Sequence, residues 1–369
     1  VSRGSSPQEG APALDARRIV SLRGEKRPLD PWRPIRLLAE PERLPGAGPA
    51  VVAPALAVFL AGAECPFRCV FCDLWRETLD GPTPEGAIAR QVELALRALA
   101  GKAADDPALH GVEIPGPMPA GALADMVVKL YNASNFFEPR AVPERDLDAV
   151  GRLLAGARRV VVECHPRLLL GSGTGAGRGL ELCRDFGARL DGTLEVAMGL
   201  ETVHPGAFPR LNKGMELGDF ARAAEGLLEA GAEVRAFVLV GAPHVPAAEA
   251  VEWAVRSVEH AFACGARNVA LIPVRGGNGT LEVLAREGHF TPPLLDQLEA
   301  ALAAALELPA ARAGAVVTAD LWDLERFASC RRCLPERSAR LARANLSGRL
   351  DPPGRCPACG AGAGVPAER

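Results

Sequence analysis

Three things are scarce in this 369-residue sequence. Net charge is nearly absent: 42 Lys and Arg stand against 45 Asp and Glu, a formal charge of -3. No bulk electrostatic pull toward nucleic acid or an anionic membrane is expected, so any nucleic-acid contact has to be local. Long apolar runs are also missing. The most apolar stretch, 51–62, is well short of the ~20 residues a spanning helix needs, so no membrane partner is expected. Finally, residues 2–49 are rich in Arg, Pro and Gly and hold no apolar leader core, which leads us to expect a cytoplasmic protein.

Cysteine, by contrast, is plentiful. Ten cysteines without a secretory leader point to metal binding or catalysis, because the cytosol keeps thiols reduced. Seven of them fall into three groups: Cys65, Cys69 and Cys72; Cys330 and Cys333; Cys356 and Cys359. The other three, Cys164, Cys183 and Cys264, stand singly in apolar or helical contexts, as small buried hydrophobes do.

Hydrophobic residues make up 48% of the chain, enough for one large domain with a small appendage. From 51 to 310 short aliphatic runs alternate with amphipathic stretches, the rhythm of repeated β/α units. Strands are expected at 55–60, 127–131, 160–163, 194–200, 234–240 and 268–273. The helices between and after them are expected at 85–100, 143–155, 178–186, 217–230, 247–264 and 292–306. Six units suit a partial (β/α)6 barrel of the α/β class, with an open doubly wound sheet as the alternative. Either fold places chemistry in the loops after the strands. Residues 1–50 read as a loose N-terminal extension, 171–179 as a flexible Gly-rich insertion without the Lys of a phosphate loop, and 311–369 as a small C-terminal metal-binding module built on four cysteines.

The chemistry is concentrated in Cys65-Pro-Phe-Arg-Cys69-Val-Phe-Cys72, three thiols within eight residues directly after the first expected strand. A structural zinc site would need a fourth ligand nearby, and none is evident in this loop. A four-iron cluster on three thiolates instead leaves one iron open to a small chelating ligand. This C-x3-C-x2-C spacing, with Phe71 before the third Cys, resembles the radical S-adenosylmethionine (SAM) superfamily. Over about 50–310 the chain is most similar to the branch holding the Elongator catalytic subunit and the radical subunit of archaeosine synthase.

That resemblance implies a [4Fe-4S] cluster on Cys65, Cys69 and Cys72, SAM chelated at the open iron, and an external electron donor. It also implies roles at the later strand ends. Asn132, Ser134 and Asn135 stand where the family receives the SAM ammonium. Glu163, in Glu-Cys-His165-Pro where the family has Glu-Thr-Arg-Pro, would meet a SAM hydroxyl or ammonium, while His165 reads as a structural group. Glu201 would accept from the ribose, and Lys213, or less readily Arg210, would neutralise the SAM carboxylate. Gly241 would let backbone approach the adenine. Arg275 suits either an anionic substrate group or a neighbouring carboxylate.

Cys330, Cys333, Cys356 and Cys359 form two C-x2-C knuckles, the spacing of a four-thiolate zinc site, with a second iron-sulfur cluster as the alternative. Seven arginines against two acids between Cys330 and Cys359 make the segment locally basic. Conversion of a tRNA nucleoside, which the resemblance to tRNA-acting relatives implies and the basic tail suits, is the leading expectation. Radical chemistry on a small metabolite, lipid precursor or protein side chain comes next. A non-catalytic iron-sulfur or zinc-binding partner protein is the reading from another class.

Overall fold

The computed structural model describes residues 14–102, 107–117, 119–171 and 177–360, so the centre of the Gly-rich insertion lies outside the described residues. Within them eight strands form one sheet in strict sequence order: β1 Arg36–Leu44, β2 Val51–Phe59, β3 Val127–Tyr131, β4 Arg159–Glu163, β5 Thr193–Glu201, β6 Glu233–Val240, β7 Asn268–Pro273 and β8 Val316–Ala319. β1 runs antiparallel to β2, and every later pair is parallel. The main helices are α1 Ala87–Arg97, α2 Glu144–Leu153, α3 Arg178–Gly187, α4 Leu217–Glu229, α5 Ala250–Ala263, α6 Leu295–Leu306 and α7 Leu334–Ser347.

The strand order decides between the two architectures. A doubly wound sheet reverses direction at a switch point. Here each right-handed crossover steps the same way, which puts all the crossover helices on one face and leaves the other face to curl inward. The outer face is aliphatic: Leu56 and Val58, Val128 and Leu130, Val160 and Val162, Val196 and Met198 are buried under the helices. Curling is shown by Glu42 of β1, whose carboxylate pairs with Arg235 of β6. In a flat sheet, five strand steps of about 4.8 Å would hold them roughly 24 Å apart.

The lower half of the interior is an ionic layer. Arg235 bonds Glu195 at 2.7 Å as well as Glu42. Arg159 joins Glu195 at 2.7 Å and Glu233 at 2.6 Å, Lys129 joins Glu40 at 2.6 Å and also Glu42, and Asn268 donates to Glu195 at 2.7 Å. Burial opposes the charge on Glu42, but Arg235 and Lys129 outweigh it and hold the carboxyl down to about 2. Val127, Val161, Ala55 and Ala197 fill the rest of this tier.

The six expected units are β2 to β7 with their helices, and the structure adds a strand at each end. β1 lies inside the segment expected to be loose. Its Glu40-Pro41-Glu42 centre hides the strand pattern, because those charges face an ionic interior rather than solvent. β8 is only four residues long.

β1 and β8 are not paired with each other, so the barrel has a seam. Helix α7, expected to belong to a separate module, packs against both strands and covers it. Asn345 supplies the missing strand contacts: its Oδ1 accepts from Ala319 N and its Nδ2 donates to Ala319 O, both at 2.8 Å. At one end Gly46 N donates to Gly314 O at 2.9 Å, and at the other the Arg36 guanidinium lies 4.2 Å from the Trp322 ring centre. Replacing Asn345 by Ala leaves two backbone groups of β8 without partners. It should lower the unfolding free energy by about 1–3 kcal/mol in urea titration. An unchanged midpoint would show that the edge of β8 is satisfied in another way.

Candidate functional site

Beyond β2 the chain is pinned before it reaches the first cysteine. Gln91 of α1 brackets Ala61, accepting from its N–H at 2.8 Å and donating to its carbonyl at 2.9 Å, and Thr83 accepts from Ala63 N at 2.8 Å. The cysteine loop then lies across the mouth, where the parallel strands end. Asn212 donates to Arg68 O at 2.7 Å, Val70 N to Leu211 O at 3.0 Å, and Asn278 to Val70 O at 2.8 Å. Phe67 stacks on His165 with ring centres 3.8 Å apart.

Cys65, Cys69 and Cys72 are free and half-buried. Burial raises all three thiols, Cys69 to about 12, and Cys69 and Cys72 are raised further by their neighbouring thiols. A metal bound there would have to displace their protons.

The ends of β3, β4 and β5 surround this loop. The three residues assigned one task after β3 divide into two groups. Asn135 is a brace: its amide donates to the Cys65 sulfur at 3.4 Å and its Oδ1 accepts from His165 N at 2.7 Å. Asn132 and Ser134 have no such work, for both amide atoms of Asn132 and the Ser134 hydroxyl are buried without a partner. A native site seldom leaves three such atoms unsatisfied unless a ligand completes them. The site thus fits a polar ligand beside the thiol loop.

Glu163, at the tip of β4, accepts from Ala133 N at 2.8 Å and is further steadied by the N–H groups of Asn132 and Ser134. Burial outweighs these bonds and lifts its carboxyl to about 7. His165 is structural, as expected: Nδ1 accepts from Arg167 N at 3.2 Å, Nε2 lies 3.0 Å from Lys213 O, and burial with the nearby Lys213 charge lowers it to about 2.

Glu201 and Lys213, expected to act on different parts of a ligand, form one buried ion pair at 2.7 Å. A bulge between Gly199 and Glu201 turns the carboxylate toward Lys213, and a Cβ on Gly199 would come within 1.9 Å of Glu201 Oε1. Burial works against the Lys213 ammonium, but the Glu201 carboxylate beside it outweighs burial and holds its pKa above the usual lysine value. At Gly241 the glycine answers to packing, since φ is 72° and a Cβ would meet Pro293 at 2.9 Å. Arg275 pairs with Asp320 and donates to Trp322 O at 2.7 Å, which selects the neighbouring carboxylate. Arg210 is partly exposed, and it adds to the lowering of His244, whose ring is brought down to about 4 by burial and then by His289.

Asn278 escaped the sequence reading. It ties down the loop through Val70 and Cys72 and caps the helix Thr280–Arg286 through Leu281 N at 2.8 Å. A lone Asn between glycines before a helix was the available signal. The tail cysteines come together as expected: the Sγ atoms of Cys330, Cys333, Cys356 and Cys359 all lie within 4.8 Å of one another. Cys164 and Cys183 are buried in the core, and Cys264 is half-buried.

Fold and site together define a partial β/α barrel with a three-thiol loop at its mouth and a separate four-thiol centre on its seam helix. No family profile and no curated protein matches the sequence. Among solved structures, an N-terminally truncated Elp3 from the archaeon Methanocaldococcus infernus aligns at 14% identity and TM-score 0.43, over 63% of this chain and 56% of its own. Coproporphyrinogen III oxidase HemN from Escherichia coli, a radical SAM enzyme, aligns at 11% and 0.39, over 63% and 47%. Methylornithine synthase PylB aligns at 13% and 0.45, over 78% and 68%. The chain thus spans about half the length of the first two, and at such overlaps the likeness carries nothing about chemistry. No helix among the described residues is long and apolar enough to cross a membrane.

The raised Glu163 carboxyl has a measurable sign. The folded state holds this proton more tightly than the unfolded chain does. Its contribution therefore lowers stability as pH climbs from about 4.5 to about 7, with the full penalty above that. Glu163→Gln should flatten that part of the pH dependence between pH 5 and 8 in urea titrations. Parallel curves for wild type and variant would show an unperturbed carboxyl.

Proposed function

We propose that this chain is a radical SAM enzyme: it carries a [4Fe-4S] cluster on Cys65, Cys69 and Cys72 and cleaves SAM reductively, with electrons from an external donor. The observation that carries the reading is the three-thiol loop at the barrel mouth beside the unsatisfied Asn132 and Ser134. Once bound, such a cluster supplies one electron and an open coordination position to SAM.

The chain's own residues have the matching tasks. Asn132 and Ser134 offer the acceptors an ammonium group requires. Lys213 retains two further N–H donors for a carboxylate beyond its bond to Glu201, and the second oxygen of Glu201 can take a ribose hydroxyl. Glu163 holds the turn that presents Asn132 and Ser134. A cytoplasmic location accords with the reduced thiols this chemistry needs.

For the tail we infer zinc. A tetrahedral ion with bonds of about 2.3 Å sets its sulfurs about 3.8 Å apart. The 3.9 Å between Cys333 and Cys359 supports that reading.

The finer expectation is a tRNA nucleoside as substrate, and its electrostatic support has narrowed. Arg340 and Arg337 are buried against Glu299, at 2.6 and 2.8 Å, and Arg343 faces Asp351 at 3.7 Å. Arg331, Arg332, Arg349 and Arg355 remain exposed, and these are the residues able to grip a phosphate backbone.

Anaerobic reconstitution should load about four irons per chain and, with dithionite, yield 5'-deoxyadenosine from SAM. Changing Cys65, Cys69 and Cys72 to Ala should remove both while sparing about one zinc per chain. SAM cleavage by the triple variant would sink the proposal. For the nucleic-acid reading, tRNA affinity should fall steeply with salt and lose that slope when Arg331, Arg332, Arg349 and Arg355 become Gln. No salt-sensitive affinity in the intact protein would end it.

A further inference from the structure

The barrel interior has two tiers of opposite character. Inward positions of the lower tier are buried: Ala55, Val127, Val161 and Ala197 sit beside the ionic layer. On the same face and closer to the mouth, Leu38, Phe59, Tyr131, Phe237, Ala270 and Ile272 are all only half-buried. These positions line a well closed below by the ion pairs and covered on the β6 and β7 side by Leu239 and Val274, which are buried with Val70 of the cysteine loop.

The wall of this well is apolar and aromatic. Phe59 and Tyr131 lie side by side on β2 and β3, ring centres 5.8 Å apart, and Phe237 of β6 packs on the apolar residues of the lower tier. Ile272 and Phe71 of the cysteine loop pack on one apolar cluster, which joins the wall of the well to the thiol loop. Hydroxyl groups come from Tyr131 and Thr318.

The cations that line it below the thiol loop already have partners. Lys129 and Arg235 belong to the ionic layer, Arg275 is paired with Asp320, and Arg36 with Glu113 at 2.6 Å, while Lys213 stands at the thiol loop itself. An anionic group entering the well below the thiol loop would lose water with no unpaired cation among the described residues named above to replace it, which is costly. An uncharged apolar group would instead gain by burial.

We infer that the part of the substrate entering this barrel is an uncharged aromatic or aliphatic group, with any phosphate or carboxylate left outside the mouth. This rests on the radical SAM reading for its purpose but not for its test.

The probes are p-cresol, neutral, and p-tolyl phosphate, its anionic counterpart, applied to the full-length anaerobically reconstituted protein by saturation-transfer NMR. Saturable p-cresol binding is expected, with phosphate binding at least about tenfold weaker, a difference of about 1.4 kcal/mol. Ala270→Trp should fill the well and abolish p-cresol binding. Thr318→Lys, a second route should the first variant misfold, should reverse the preference between the two probes. Equal binding of both probes by wild type, or p-cresol binding unaffected in a folded Ala270→Trp, would overturn the inference. SAM cleavage assayed on the same samples separates the two claims. Lost cleavage with intact probe selectivity removes the enzyme reading alone, and intact cleavage without selectivity removes the well alone.

Discussion

The structure depends on the Arg235 guanidinium. It lies between Glu42 of β1 and Glu195 of β5, and Glu195 in turn holds Arg159 of β4 and Asn268 of β7. An interior of that polarity is an expensive way to fill a barrel, because every charge has been taken from water. What it provides is direction. Arg235 reaches both carboxylates only when the sheet is rolled, so the ion pairs fix how the sheet closes while the outer aliphatic face supplies the bulk of the burial. Removing one partner would leave an uncompensated charge among buried residues, which is why the layer acts as a unit.

Closure at the base allows openness at the mouth. The backbone tolerates strain where the strands end: Ala133, Glu201, Asn212 and His244 all have positive φ, and each lies at or just beyond the end of a parallel strand or in the segment that holds the cysteine loop. Such conformations persist only when their surroundings hold them. Here the holding groups are Glu163 beneath Ala133, Lys213 beside Glu201, and Arg68 O above Asn212. The mouth is thus a set of turns braced by side chains, with the thiols on one side and the unsatisfied Asn132 and Ser134 on the other.

The seam ties the tail to this arrangement. Helix α7 begins at the four-thiol centre and ends beside β1 and β8, with Asn345 standing in for a strand along the way. A metal gathering Cys330, Cys333, Cys356 and Cys359 would also anchor the helix that covers the gap. The tail therefore contributes to the barrel wall, and two of its basic residues, Arg337 and Arg340, serve α6 instead of solvent.

Much of this was legible in the chain. The six β/α units were, because each aliphatic run is a strand buried against helices and each amphipathic run a helix with one wet face. The thiol groups were, because spacing within a short loop survives any fold, and Cys164 and Cys183 were, because a single thiol in an apolar stretch has nowhere else to go. β1 was hidden by its charges, whose partners are 89 and 193 residues distant in sequence. The division of labour among Asn132, Ser134 and Asn135 was equally invisible, since neighbouring polar residues differ only in what reaches them through space. Sequence alone determined the periodicity, the loop chemistry and the class of metal ligand, all of which depend on neighbours along the chain. Only the tertiary structure decided which charges cancel, which glycine answers to packing, and which polar atoms are left for a ligand, because those depend on distances between residues that the chain itself keeps far apart.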